Sequence, residues 1–137
     1  MLGHLASIDS RIDGLNGSQS NPVDPSDPNS PRVPVQDNTA IDGGPFDPLH
    51  DFDSINFQLY GFHRAMNQSA PVTMSGFLAD ANQKDPSFVL TAHNMSSLPV
   101  LSTLALEYAV FDHWHCSCPC PTNPNREFLM SGTVSLR

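Results

Sequence analysis

Asp112-His-Trp-His-Cys-Ser-Cys-Pro-Cys-Pro-Thr-Asn-Pro-Asn-Arg126, continuing as Glu-Phe-Leu-Met-Ser-Gly-Thr133, is the densest run of chemistry-bearing residues in the chain. Thr122 stands between Pro121 and Pro124, whose rings fix the backbone around it. The residues after Pro124 predict a helix over 125–131 that Gly132 ends. A hydroxyl just ahead of a helix faces amides that have no partner inside the helix, so the position suits an anion. Ser and Thr are also favoured helix caps, and on this geometry alone capping is the stronger reading of Thr122.

The three cysteines, Cys116, Cys118 and Cys120, fall within five residues, so no long-range disulfide framework can be drawn and at least one stays unpaired within the chain. With His113 and His115 they have the donor types of a soft-metal cluster. Prolines interrupt the run and no second ligand cluster exists elsewhere, so the cysteines are read as buried or loop thiols. Trp114 is read as a core or loop anchor.

Upstream of this run, a helix is expected from about Ser97 to Tyr108, with Pro99 in its first turn and Leu101, Leu104, Ala105 and Tyr108 on one face. Ala109 to Phe111 suits a buried strand or the last turn of that helix. Phe52, Ile55, Leu59 and Phe62 have helical spacing behind a cap at Asp51 or Asp53. Between Gly17 and Pro48 seven prolines predict an extended acidic loop with one short strand at 32–35. Leu2, Leu5, Ile8, Ile12 and Leu15 predict a short amphipathic helix or turn ending at Gly14. His4, His63 and His93 have no partner pattern, and Asp24, Asp27 and Asp37 lack calcium-loop spacing.

The whole chain has 137 residues, room for one domain at most. Six basic against fourteen acidic residues give a net charge of −8, which argues against a nucleic-acid partner. No apolar run approaches the roughly 20 residues of a transmembrane segment, and the first residues have neither the basic nor the apolar region of a signal peptide. Twelve of the fourteen acids are Asp, and with thirteen prolines they describe a loop-rich chain that has difficulty closing a core alone. Sequons at Asn16, Asn67 and Asn94 would matter only in a secretory compartment.

Four elements, in order, resemble the phosphoesterase family of phospholipases C and related acid phosphatases, within the alkaline-phosphatase-like superfamily. They are Ile12-Asp-Gly-Leu-Asn-Gly17, Asp47-Pro-Leu-His50, the run from Leu98-Pro-Val-Leu-Ser-Thr-Leu-Ala through Phe111-Asp-His-Trp, and Pro121-Thr-Asn-Pro-Asn-Arg126 with Ser131-Gly-Thr133. Met1-Leu-Gly resembles the residues that follow that family's Glu-Asn-x-Ser-Phe-Asp motif. The resemblance implies an α/β fold, a partial alkaline-phosphatase-like sandwich with helices about a central sheet. Residues 1–137 would be the N-terminal part of one catalytic domain, with a Pro/Asp-rich loop at 17–48 and a nucleophile loop at 112–126.

The same resemblance implies a two-step phosphoryl transfer. Thr122 would be the nucleophile and also a ligand of a divalent metal ion that activates it. His50 would stabilise charge on the phosphate or protonate the leaving group. Asn125 or Arg126 would touch phosphate. Read without the family, His50 is an exposed loop histidine, and Arg126 is a structural pin pairing with an acid such as Asp112. The expected substrate is a phospholipid phosphodiester, with an acid phosphatase on the same scaffold and an inactive remnant as the competing readings. The sequence departs from the family where His115, Cys116, Cys118 and Cys120 stand in place of an aromatic, small residues and a glycine. Most metal ligands are expected outside this chain, so the isolated 137 residues are expected to have little or no hydrolase activity, as in a truncated version of a longer, secreted or membrane-peripheral enzyme.

Overall fold

The computed structural model describes residues 2–38, 48–63, 69–81 and 86–133. It is mixed helix and strand. The chain opens with a 3₁₀-helix at Leu2–Ser7, shorter than the helix to Gly14 expected from the apolar spacing. The Ser7 hydroxyl donates to the His4 carbonyl at 2.7 Å, a local bond that competes with helix propagation. The backbone then doubles back, so that the Leu15 N–H reaches the Gly3 carbonyl at 2.8 Å. Leu5, only 2% exposed, is the residue this turn buries.

The acidic proline-rich segment holds more structure than a loop with one strand. Strand β1 (Ser20–Pro22) pairs antiparallel with β2 (Arg32–Pro34), Asn21 opposite Val33. The Arg32 guanidinium ties the pair by donating to the Ser20 hydroxyl and carbonyl at 2.9 and 2.6 Å. Asp24 and Asp27 serve the connecting turn rather than a metal: their carboxylates accept from the Ser26 and Asn29 amides at 2.8 Å each. Strand β3 (Gln36–Asn38) pairs in parallel with a distant strand, β4 (Thr91–His93), a non-local pairing that no spacing rule could announce.

Helix α1 (Phe52–Tyr60) follows its sequence signals. The Asp51 carboxylate accepts from the Asp53 and Ser54 amides at 3.0 Å each, and the Ser54 N–H in particular holds that carboxyl below the ordinary carboxylate range. Gly61 ends the helix in the left-handed conformation and returns its N–H to the Phe57 carbonyl at 2.7 Å. Residues 73–76 then run along the end of α1, with the Met74 and Gly76 amides bonded to the Leu59 and Gln58 carbonyls. Gly76 is required there because a Cβ would collide with the Phe57 carbonyl.

Helix α2 (Phe77–Asp80) is the hub of the packing, touching α1, β1 and the 3₁₀-helix Pro86–Leu90. Leu78 (3% exposed), Ala81 and Leu90 form the buried cluster here. Helix α3 (Pro99–Glu107) keeps Pro99 in its first turn as expected but begins two residues later than Ser97, and its expected core face is turned to solvent. Leu101 is 52% and Tyr108 75% exposed, whereas Ser102 is the buried residue, donating to the Met95 carbonyl at 2.7 Å. Periodicity locates an apolar face but does not supply a surface to cover it. Residues 109–111 form neither strand nor helix. The Asn67 sequon, Asp47 and the residues after Thr133 lie outside the described residues.

Candidate active site

Helix α4 spans Thr122–Ser131 and so begins three residues earlier than the proline spacing predicts. Pro124 falls at its third position, where a missing N–H costs no intrahelical bond. Pro121, with no side-chain cap, precedes the first turn, and Gly132 closes the helix in the left-handed conformation as expected. Thr122 is therefore not the cap that its residue type suggested. It is the first residue of the helix proper, exposed, and among the described residues no hydrogen bond engages its hydroxyl. The Thr122 and Asn123 amides at this end have no helical acceptor, so a free hydroxyl and the positive end of a helix share one exposed spot.

Asn125 lies within the same turn but points back. Its Oδ1 accepts from the Ser117 and Cys118 amides at 3.1 and 3.2 Å. Its Nδ2 donates to the Cys118 and Cys120 carbonyls at 3.1 and 3.0 Å and approaches the Pro121 carbonyl at 3.4 Å. Two amides on one side and carbonyls on the other fix which end of the side chain is oxygen and which is nitrogen. Sequence reasoning missed this knot; the signal was an amide side chain just beyond a loop crowded with prolines, whose backbone donors are few. Arg126 differs from the structural pin suggested above: among the described residues it forms no ion pair, and its side chain is exposed.

Asp112 has other partners. Its carboxylate accepts from the Asp13 amide at 2.8 Å, across 99 residues of sequence, and contacts His113 Nδ1 at 3.0 Å. The Asp13 N–H holds the carboxyl below its ordinary range against the opposing effect of desolvation, and His113 adds to the lowering. Trp114 is 74% exposed and meets Phe111 edge-on with ring centroids 5.9 Å apart, so it is not a core anchor. Cys118 and Cys120 are joined as a disulfide rather than left as thiols, and Cys116 is the free, exposed cysteine.

His50 is exposed, with Nδ1 2.9 Å from the Pro48 carbonyl. That contact makes Nδ1 the N–H donor and leaves Nε2 open to solvent. The preceding residue is anchored: Gln58 Nε2 donates to the Leu49 carbonyl at 2.8 Å and to the Asp80 carboxylate at 2.7 Å. Pro48, Leu49, Gln58, Asp80, Thr91 and His93 contribute to a cavity of about 370 Å³ beside it. His93 Nδ1 is buried without a hydrogen-bond partner among the described residues, and the His63 and Phe57 rings lie 5.1 Å apart. His4 Nε2 lies 3.1 Å from Asp37 Oδ1, an ion-pair distance that lacks hydrogen-bond geometry. Among the described residues, no hydrogen bond or ring contact joins His50 to Thr122, whereas Thr122, Asn125 and Arg126 share the first turns of α4.

No group of three or more His, Cys, Asp or Glu side chains converges among the described residues. The donors of a complete divalent-metal site are thus not supplied by these residues. No described helix is long and apolar enough to cross a membrane.

Comparison with known proteins places these elements in context. The phosphoesterase family profile matches residues 1–136. Non-specific phospholipase C1 of Arabidopsis thaliana is 37% identical over 136 residues, covering 97% of this chain and 25% of that protein. Non-specific phospholipases C6 and C3 of the same plant are 33% and 34% identical, covering 93% and 97% of this chain and 23% and 26% of their own lengths. The chain spans about a quarter of the length of the curated relatives it matches.

Proposed function

The chain belongs to the phosphoesterase family, and from that premise we propose that it carries the nucleophile-bearing part of a phospholipase C-like hydrolase. The observation that carries this reading is Thr122, a free hydroxyl on the first residue of α4 inside Pro121-Thr-Asn-Pro-Asn-Arg126. The Thr122 oxygen attacks phosphorus and gives its proton to water as the new O–P bond forms, while the bond to the diacylglycerol oxygen breaks. His50, with Nδ1–H held on the Pro48 carbonyl, acts as an imidazolium whose Nε2 proton passes to that departing oxygen. A threonine phosphoester that keeps the headgroup is left, and water then releases it. In this reading the α4 amides and the Arg126 guanidinium offset charge on the nonbridging oxygens.

A threonine hydroxyl is too weak an acid to attack unaided, and the family resemblance implies a divalent ion. The described residues do not fit a complete site for it, since no three His, Cys, Asp or Glu side chains converge among them. We place most of that ion's ligands outside the described residues and route no step through it. In the same spirit, the 137 residues are proposed to form part of a single catalytic domain with an alkaline-phosphatase-like sandwich. The names of the relatives favour a phospholipid diester over a monoester.

The test is hydrolysis of phosphatidylcholine and of a simple monoester by protein expressed from the full reading frame that carries these residues. Diester cleavage that falls by about 1,000-fold or more in Thr122→Ala supports the reading. Cleavage that survives the substitution contradicts it.

A further inference from the structure

The family resemblance offers both Asn125 and Arg126 for contact with phosphate, but their surroundings are different. Every hydrogen-bonding position of the Asn125 amide already has a backbone partner: two N–H groups on Oδ1 and the Cys118 and Cys120 carbonyls on Nδ2, with Pro121 close by. Phosphate presents only acceptors, so it could engage only Nδ2, and only by breaking bonds to carbonyls already in place. Arg126 has no such commitment among the described residues.

We infer that Asn125 is a positioning residue for Thr122: its side chain clamps residues 117–121 onto the first turn of α4 and so fixes the direction in which the Thr122 hydroxyl is presented. Three links carry the effect. The Cys120 and Pro121 carbonyls flank the peptide that enters Thr122, so holding them sets the path of the backbone into the helix. The Ser117 and Cys118 amides, bound to Oδ1, keep the preceding loop from swinging across the hydroxyl. Pro119, Pro121 and Pro124 lack N–H groups, so few backbone donors remain to hold this loop and the side-chain amide takes that role. Arg126, the next residue, is left as the group that meets the phosphate.

This inference rests on Thr122 as nucleophile, and the experiment separates the two. Amide hydrogen exchange in the 137-residue chain reads the clamp without any turnover. In Asn125→Ala the Ser117 and Cys118 amides should exchange about 5- to 10-fold faster, as expected for loss of a hydrogen bond worth about 1 kcal/mol. Asn125→Asp replaces the Nδ2 donor with an oxygen set against the Cys118 and Cys120 carbonyls, so it too should speed exchange at these amides, which covers the case in which the alanine variant fails to fold. Unchanged exchange in a folded Asn125→Ala or a folded Asn125→Asp overturns the clamp. In the hydrolytic protein, Asn125→Ala should lower kcat roughly 10- to 100-fold with KM nearly unchanged, the pattern of a misplaced nucleophile. Arg126→Ala should instead raise KM. A raised KM with kcat intact in Asn125→Ala would make Asn125 a substrate contact and overturn the inference. Absence of any Thr122-dependent turnover removes the nucleophile, and the positioning role with it, while leaving the exchange result to stand.

Discussion

Asp112 and Asn125 do related work on either side of the cysteine run: each uses one side chain to hold backbone that is distant or poor in donors. Asp112 reaches the Asp13 amide, so the loop and the N-terminal turn are tied through a single carboxylate. Because that carboxyl is held below its ordinary range, its contribution is present above the unfolded value of about 3.9 and is lost as pH falls through the lower folded value. The Asp13 amide resonance should therefore shift with a midpoint below about 3.9, and Asp112→Ala should abolish the shift; a midpoint at or above the ordinary value would contradict the tie. At this scale the sequence pointed to Thr122 and the helix behind it, since prolines and a terminal glycine mark local backbone. It misread the partners of Asp112 and Arg126 because charge pairing depends on where distant segments meet. Of the two roles expected of Trp114, core or loop anchor, the core one does not hold: the ring is exposed and meets Phe111.

Elements with strong local signals formed where expected. Helix α1 has its aspartate cap and left-handed glycine, and α4 ends at Gly132. Strand β2 falls on the strand expected at 32–35, whereas β1, β3 and β4 escaped notice because strands of three residues are too short for an alternating pattern, and the β3–β4 pairing joins segments more than 50 residues apart. Two substitutions test how these elements are held. Gly76→Ala should destabilise the fold by about 1–3 kcal/mol in urea unfolding, because the added methyl meets the Phe57 carbonyl and forces α2 away from α1. Asp51→Ala should lower the melting temperature at neutral pH, and the difference from the unsubstituted chain should shrink in acid, where the native carboxyl is protonated and the cap is already weakened. A difference that stays constant from pH 7 to strongly acidic conditions would contradict the cap's electrostatic part.

Across the molecule, the apolar face of α3, the Phe111–Trp114 pair and Leu129 and Met130 of α4 stand in solvent among the described residues. The difficulty in closing a core that composition foretold has a location among the described residues: the cluster around α2 is packed, whereas α3 and α4, the helix that carries the proposed nucleophile, leave large apolar side chains exposed. The isolated 137 residues should accordingly bind a fluorescent apolar dye and associate as concentration rises, and Leu101→Glu with Leu104→Glu should reduce both. A monomer that binds no dye at high concentration would contradict this. The resemblance carried the functional reading further than any pattern of hydrophobicity could, because it rests on short motifs whose spacing survives in a quarter of the relatives' length. The central claim is that phosphorus passes through the Thr122 oxygen. Acid quenching of the hydrolytic protein during turnover of a phosphodiester, followed by peptide mass spectrometry, should find the phosphoester on Thr122 and find none in Thr122→Ala; an adduct on another residue, or undiminished turnover in that variant, would contradict it.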